Sequence, residues 1–451
     1  MSGQKLLGIL ARSFKWLGGI VALALIALVG AMIYGLTSEA EINHVFTAEE
    51  ATQCEDLPEA PDRILGVGFS GGGSRAAMFG AGGAAALQDA GLLKKVTHFS
   101  SVSGGGFTSS YLATHRRDYC TPNVQGATPD NCLQLDLEDI RSAMGQPYFW
   151  WMEWQQAIHP VRYFSPSRRI VSLQEALEAG FLGSEMSFEK MPEQPAFFYN
   201  AVSYDSAERF VFSNQPLPHP DADANLGLAP ELRTISFTER QGCALSAPKD
   251  FPVALAVATS AAFPPVLGPL TIQVPVRGDY GEELFWHLGD GGVIENTGLD
   301  TLIDMALNAR ARNPYLTEAT LISFNAGLRL QPEISVKERD PSLWSTDPGR
   351  LVDVSNLRAD RYRDAYLREI AKRTGLKINI VDIDYLNSKL TAWPDECAAH
   401  ANEPIEKIKD MIAEIPTDLV ITPCHAALVL AGAKALVDAE TREGGRLFKL
   451  R

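Results

Sequence analysis

The apolar positions change period several times along the chain, and these changes mark out its elements. Trp16 to Leu36 (WLGGIVALALIALVGAMIYGL) is apolar on every side and uncharged over 21 residues, matching the ~20 needed to cross a bilayer core. Residues 41–62 are polar, acidic and proline-containing, and read as a linker. Arg63–Phe69 is then a short apolar run of β type, followed by a small-residue helix over Ala76–Ala90 that Gly91 stops. Lys95–Val102 reads as a second strand and Phe107–His115 as a second helix. This alternation predicts a parallel sheet covered by helices.

Residues 120–135 read as loop, and 145–170 are dense in aromatics (Tyr148, Phe149, Trp150, Trp151, Trp154, Tyr163, Phe164). Phe197–Ser203 and Arg209–Ser213 read as a hairpin, and 214–250 as an irregular excursion. Order resumes at 251 with an apolar helix (VALAVATSAA), a strand (LFWHLG), a helix after Asn296 and a strand (TLISFNAG). A long charged helix follows over 349–374, then a strand over Lys377–Asp384 and an Ala/Leu-rich helix within Thr417–Asp438. The economical reading is one α/β domain, residues 63–451, behind an apolar amino-terminal helix.

Charge fixes how that helix is read. Lys5, Arg12 and Lys15 precede it, whereas Glu39, Glu41, Glu49, Glu50, Glu55 and Asp56 follow it. Basic flanks stay cytoplasmic, so residues 1–15 are expected inside and the domain outside the cytoplasm, periplasmic or extracellular. Ser38-Glu39-Ala40 offers a signal-peptide cleavage site, but the apolar stretch exceeds the usual ~7–15 residues, which favours an uncleaved single-pass anchor over 16–36. The chain carries 40 Lys and Arg against 55 Asp and Glu, a net charge of −15. No basic face for phosphates is visible, and nucleic acid is not an expected partner. Six cysteines (Cys54, Cys120, Cys132, Cys243, Cys397, Cys424) show no C-x-x-C spacing, so neither a metal nor a redox motif is expected. Cys120 and Cys132 are the best local disulfide pair; the other pairings stay open, as does a set of unpaired buried thiols.

Three glycine-rich turns carry the candidate chemistry. Gly66-Val67-Gly68-Phe69-Ser70-Gly71 spells the dinucleotide fingerprint, but the acidic residue it needs, Asp89, falls at the end of a helix rather than of a strand. Ser70-Gly71-Gly72-Gly73-Ser74-Arg75 uses the same glycines better. At a strand-to-helix junction they let backbone N–H groups converge where the helix dipole is positive, as an oxyanion hole requires; a generic tight turn is the alternative. One βαβ unit later, Ser101-Val102-Ser103-Gly104-Gly105-Gly106 nearly spells the G-x-S-x-G nucleophile elbow, with Ser103 as the exposed hydroxyl. Gly289-Asp290-Gly291-Gly292 follows the strand LFWHLG, so Asp290 is a base at a strand end or an ordinary Asp-Gly turn.

Together these segments resemble the patatin-like and cytosolic phospholipase A superfamily. SGGGSRA is similar to its glycine-rich oxyanion loop, SVSGGG to its elbow, ATSAAFPP to its Ser-Ala…Phe-Pro-Pro segment and GDGGVIEN to its Asp-Gly-Gly block. Two positions depart from the pattern: Ser101 replaces the first elbow glycine, and Gly298 stands where a proline is often found. The resemblance implies a three-layer α/β/α hydrolase with a mainly parallel sheet and a Ser103–Asp290 dyad that needs no histidine, metal or cofactor. It implies that Gly71, Gly72 and Gly73 hold the oxyanion, and that the substrate is a membrane phospholipid or lysophospholipid. Arg75 would then either bind a substrate phosphate or pair with a carboxylate.

A carboxylate near ~3.9 is a poor base for serine, so Asp290 is expected to be raised by burial. The rivals are a Ser-Asp-His esterase or thioesterase using His400 or His425, and an inactive membrane-tethered binding protein. His287, three residues before Asp290 on a strand, points to the other face. The aromatic run at 148–154 is either a lipid-facing lip or a core segment.

Overall fold

In the computed structural model the described residues are 3–47, 57–115, 135–218, 239–240, 243–244, 246, 248–264, 266–275, 283–327 and 348–451. The strands are β1 (His44–Val45), β2 (Ile64–Phe69), β3 (His98–Val102), β4 (Ala196–Ser203), β5 (Arg209–Ser213), β6 (Glu239–Arg240), β7 (Cys243–Ala244), β8 (Leu270–Pro275), β9 (Glu283–Asp290), β10 (Glu318–Asn325) and β11 (Lys377–Asp384). The helices are α1 (Gly3–Thr37), α2 (Gly73–Asp89), α3 (Gly105–Thr114), α4 (Leu137–Met144), α5 (Tyr148–Ile158), α6 (Pro160–Phe164), α7 (Pro166–Leu177), α8 (Val253–Ser260), α9 (Leu299–Arg312), α10 (Pro348–Thr374), α11 (Lys407–Glu414) and α12 (Pro423–Thr441).

One sheet runs in the order β1-β8-β9-β4-β3-β2-β10-β11, with β5 also on β4; β6 and β7 pair with each other. The block β4-β3-β2-β10-β11 is parallel throughout, and β5 and β9 join β4 antiparallel. A parallel sheet must be covered on both faces, which is why β2 buries all six of its residues. Leu65, Val67 and Phe69 point into a large apolar layer with α2, α3, α5, α7, α8 and α12. Ile64 points into a smaller one, where Leu299, Leu302, Ile303 and Ala306 of α9 pack with Ile370 of α10. The intervening Gly66 lets α9 close on the sheet, since a Cβ there would lie 3.2 Å from Leu302 Cδ1. The result is the expected α/β/α sandwich around a mainly parallel sheet.

The predicted strands and helices are present, with ends moved by one to a few residues. The linker differs. Residues 44–45 pair in parallel with β8, and Asn43 N–H donates to Thr271 O at 2.8 Å, so the stretch after α1 is tied to the sheet edge. Within α1, Gly19–Thr37 is long and apolar enough to cross a bilayer and almost wholly unburied. A disulfide joins Cys397 to Cys424, fastening the segment before α11 to the first turn of α12. The expected pair Cys120 and Cys132 lies outside the described residues, as does most of the 214–250 excursion.

Candidate active site

The register of β4 brings two distant segments together. Its residues 196–200 pair with β3, ending at Asn200 opposite Val102. The next residue, Ala201, pairs with Asp290 at the end of β9. Since β5 occupies the other edge of β4 at the same residues, β3 and β9 meet head to head along one edge. Ser103, one step beyond Val102, therefore faces Asp290, and its hydroxyl pulls the Asp290 carboxyl down.

Ser103 holds φ +50°, a left-handed conformation uncommon for a residue with a side chain. Its neighbourhood enforces it. Gly104 packs so closely on the glycine loop that a Cβ would sit 2.1 Å from Gly73 O. The Ser103 N–H is held by both Ser260 O (3.1 Å) and Ser260 Oγ (3.0 Å), while the Ser260 hydroxyl donates to Asn200 O at 2.6 Å. Two residues on, Ala262 O accepts from Asp290 N–H at 3.2 Å. The ATSAAFPP segment thus clamps both ends of the Ser103–Asp290 contact.

The glycine loop stands beside the elbow because Phe69 pairs with Ser101. Two residues further on, a Cβ at Gly71 would be 3.2 Å from Ser103 Cβ. Gly71 N–H is spent on Asn296 O at 3.0 Å, and Ser74 N–H on Asp418 O at 2.7 Å. Among the described residues, the N–H groups of Gly72 and Gly73, at φ +138° and +59°, have no partner. Of the three glycines expected to hold an oxyanion, Gly72 and Gly73 thus keep their N–H groups unpartnered among the described residues, while that of Gly71 is bonded to Asn296.

Asp290 is 2% exposed. Burial raises its carboxyl from 3.8 to about 7, against the opposing pull of Gly292 N–H (2.7 Å from Oδ1) and of the Ser103 hydroxyl. Tyr204, in the β4–β5 turn, lies against Gly289; its hydroxyl is pushed up to about 12 by burial and then by the Asp290 charge.

Arg75, expected either at a substrate phosphate or against a carboxylate, is turned into the interior. It is 1% exposed, with Nε and Nη2 donating to Ala326 O (3.1 and 2.8 Å), Nη1 to Ile415 O (2.6 Å), and its plane over Tyr385. Its donors brace the loops behind the oxyanion turn, so the substrate-phosphate reading gives way to a structural one. The histidines stand apart too: His287 bonds Asp205 and His400 bonds Glu403, and among the described residues neither Ser103 nor Asp290 bonds a histidine.

Several supporting residues gave no signal in the sequence beyond their motifs. Asn200 donates to Ser100 Oγ and Ser101 O, both at 2.8 Å, and accepts from Thr301 at 2.5 Å. Asn296 is wedged between the glycine loop and the Asp-Gly-Gly turn, and Asn356 of α10 donates to Gly292 O at 2.8 Å. Gly298, the departure from the family's proline, sits at φ +72°, which a proline ring forbids.

The family description Patatin-like phospholipase matches residues 68–303, just over half of the chain. The chain belongs to the patatin-like phospholipase family. No curated protein matches the sequence. Among solved structures, human GIVD cytosolic phospholipase A2 is 12% identical with a TM-score of 0.44, over 91% of this chain and 61% of that one. Its complex with methyl gamma-linolenyl fluorophosphonate gives 13%, 0.41, 91% and 60%. VipD from Legionella pneumophila gives 15%, 0.27, 84% and 67%. The chain thus spans about three fifths of the human phospholipase chains it matches.

Proposed function

We propose that this patatin-like protein is a membrane-anchored phospholipase A or lysophospholipase that cleaves carboxylic esters through Ser103 and Asp290. The observation that carries the reading is a serine on a left-handed strand-end turn, set against a buried carboxylate of raised pKa. Near neutral pH a carboxylate of this strength accepts a proton far better than an ordinary aspartate does. Ser103 Oγ attacks the ester carbon while Asp290 takes its proton. Gly72 and Gly73 N–H, at the amino end of α2, receive the oxyanion. Asp290 returns the proton to the departing alcohol, then takes one from the water that attacks the acyl-enzyme and passes it to Ser103 Oγ as the fatty acid leaves.

The anchor reading is supported by the length and exposure of Gly19–Thr37. The extracytoplasmic placement is supported by the basic residues before the span, the acidic ones after it, and the Cys397–Cys424 disulfide.

The test is fatty-acid release by the full-length chain and its Ser103→Ala variant from phospholipid, lysophospholipid, triacylglycerol and soluble ester. Release from the glycerophospholipids that vanishes in the variant is expected. Release from soluble ester alone makes the protein a general esterase or thioesterase. Release from none of them, by folded protein, leaves a binding protein.

A further inference from the structure

α5 has two faces at four-residue spacing. Tyr148 and Met152 are fully buried in the core, whereas Trp150, Trp154 and Ile158 are 62%, 66% and 49% exposed. Positions i, i+4 and i+8 fall on one side of a helix, so the exposed three form a continuous apolar stripe about 12 Å long. The aromatic run is thus core on one side and bare on the other. An unpaired stripe headed by two tryptophans calls for an apolar partner with a polar boundary.

The two ends of the stripe show which partner. At its carboxyl end the chain passes at once into α6, and α6 is the surface on which α1 rests. Gly35 of α1 is buried there, and a Cβ at that position would lie 2.8 Å from Phe164 Cβ and 3.0 Å from Val161 O. Arg168 of α7 locks the joint, with its guanidinium 5.7 Å from the Tyr34 ring, Nη1 donating to Ser38 Oγ at 3.0 Å, and Nε paired with Glu41 at 2.8 Å. The contact falls two residues before Thr37, the end of the apolar span. Whatever packs on Gly35 therefore lies at the depth where a bilayer passes from hydrocarbon to headgroups, the zone tryptophan and tyrosine favour.

At its amino end the stripe approaches the candidate active site. Phe149 N–H donates to Leu419 O at 3.3 Å, and the preceding residue, Asp418, accepts from Ser74 N–H at the oxyanion turn. One short segment thus joins the head of α5 to the glycine loop.

We propose that Trp150, Trp154 and Ile158 lie in the headgroup layer of the leaflet through which α1 leaves the membrane, so that the enzyme draws its lipid from the bilayer that anchors it. The proposal rests on the reading of α1 as an uncleaved span. The joint at Gly35 and Arg168 fixes the orientation of the domain, and α5 then forms a path from the bilayer surface to the catalytic turn.

The test uses full-length protein in vesicles of phosphatidylcholine, with or without bromine on the acyl chains near the headgroup. Ser103→Ala protein serves here, so no turnover is needed and failure of the catalytic reading leaves this readout intact. It is compared with the same protein also carrying Trp150→Ser and Trp154→Ser, both on the bare face of α5. Carbonate-resistant insertion with a difference emission quenched about twofold or more by bromine is expected. Insertion with an unquenched difference overturns the proposal while the hydrolase reading stands. Carbonate release removes the anchor and the proposal with it. With active protein, hydrolysis of labelled lipid in the enzyme's own vesicles should exceed that in added protein-free vesicles, and the double Trp variant should lower the ratio of own-vesicle lipid to soluble-ester hydrolysis. Equal rates on the two vesicle populations overturn the lipid route.

Discussion

Replacing Asp290 with asparagine tests the proposed base and what it costs the fold in one experiment. Burial raises this carboxyl from 3.8 to about 7, whereas in the unfolded chain it ionises near ~3.9. The folded chain thus keeps a proton that the unfolded chain gives up between about pH 4 and 7, and stability falls across that window as pH rises. A pKa difference of about 3, at about 1.4 kcal/mol each, makes the folded carboxylate cost roughly 4 kcal/mol above pH 7. Asparagine keeps the shape and can still accept from Gly292 N–H, but has no charge to bury. Asp290→Asn should therefore match wild type near pH 4 and exceed it by about 4 kcal/mol at pH 8, gaining about 1.4 kcal/mol per pH unit between. Asp300, half-buried and likewise raised to about 7, is present in both chains and cancels. Urea midpoints of the detergent-solubilised full-length proteins at several pH values measure the difference. Wild-type kcat/KM on a soluble ester should rise about tenfold per pH unit below about pH 7 and level off above it, while the variant loses at least about 1,000-fold. A pH-independent stability gain, or a wild-type rate flat from pH 5 to 8, refutes the buried-base argument.

Two other substitutions probe the turn beside the dyad. Gly73→Ala places a Cβ 2.0 Å from Asp418 O at a φ of +59°. It should lower kcat on soluble ester about 100- to 1,000-fold by moving the oxyanion donors, whereas Gly91→Ala, at φ +72° with nothing within 4 Å, should cost about 1 kcal/mol of stability and leave kcat unchanged. Arg75→Met leaves the Ala326 and Ile415 carbonyls without their buried donors and should destabilise the chain by about 3 kcal/mol in urea unfolding. The ratio of its rates on anionic and zwitterionic phospholipids should match that of wild type; a changed ratio would restore Arg75 to the substrate.

Much of this arrangement was legible in the chain because parallel sheets declare themselves locally. β2, α2, β3 and α3 each carry their own apolar pattern, and the glycine turns between them need no partner to be recognised. The supporting residues are a different matter. Asn200, Ser260 and Asn296 matter through contacts across the sheet, and nothing in the residues around Asn200 distinguishes it from any asparagine in a strand. Arg75 misleads for the same reason. An arginine at the head of a helix beside a lipid site suggests an anion, and only the positions of Ala326 and Ile415, 251 and 340 residues away, turn it inward. The aromatic run splits because burial follows the helical turn, not the segment: Tyr148 and Met152 take the core, as one reading had it, and Trp150 and Trp154 are exposed.

The reach of the carboxylate and its basicity have one origin. β3 and β9 enter the same edge of β4 from opposite directions, so Asp290 arrives end-on at the elbow rather than from a neighbouring loop. That approach sets a short side chain against Ser103, where a base carried on a more distant loop would need an imidazole to bridge the gap. The same approach walls the carboxylate in with β4, the ATSAAFPP segment and Tyr204, and loss of water is what raises its pKa. On the proposed mechanism a histidine is dispensable, because the junction that supplies the contact also supplies the proton affinity. Moving Asp290 outward to relieve its burial would forfeit both together.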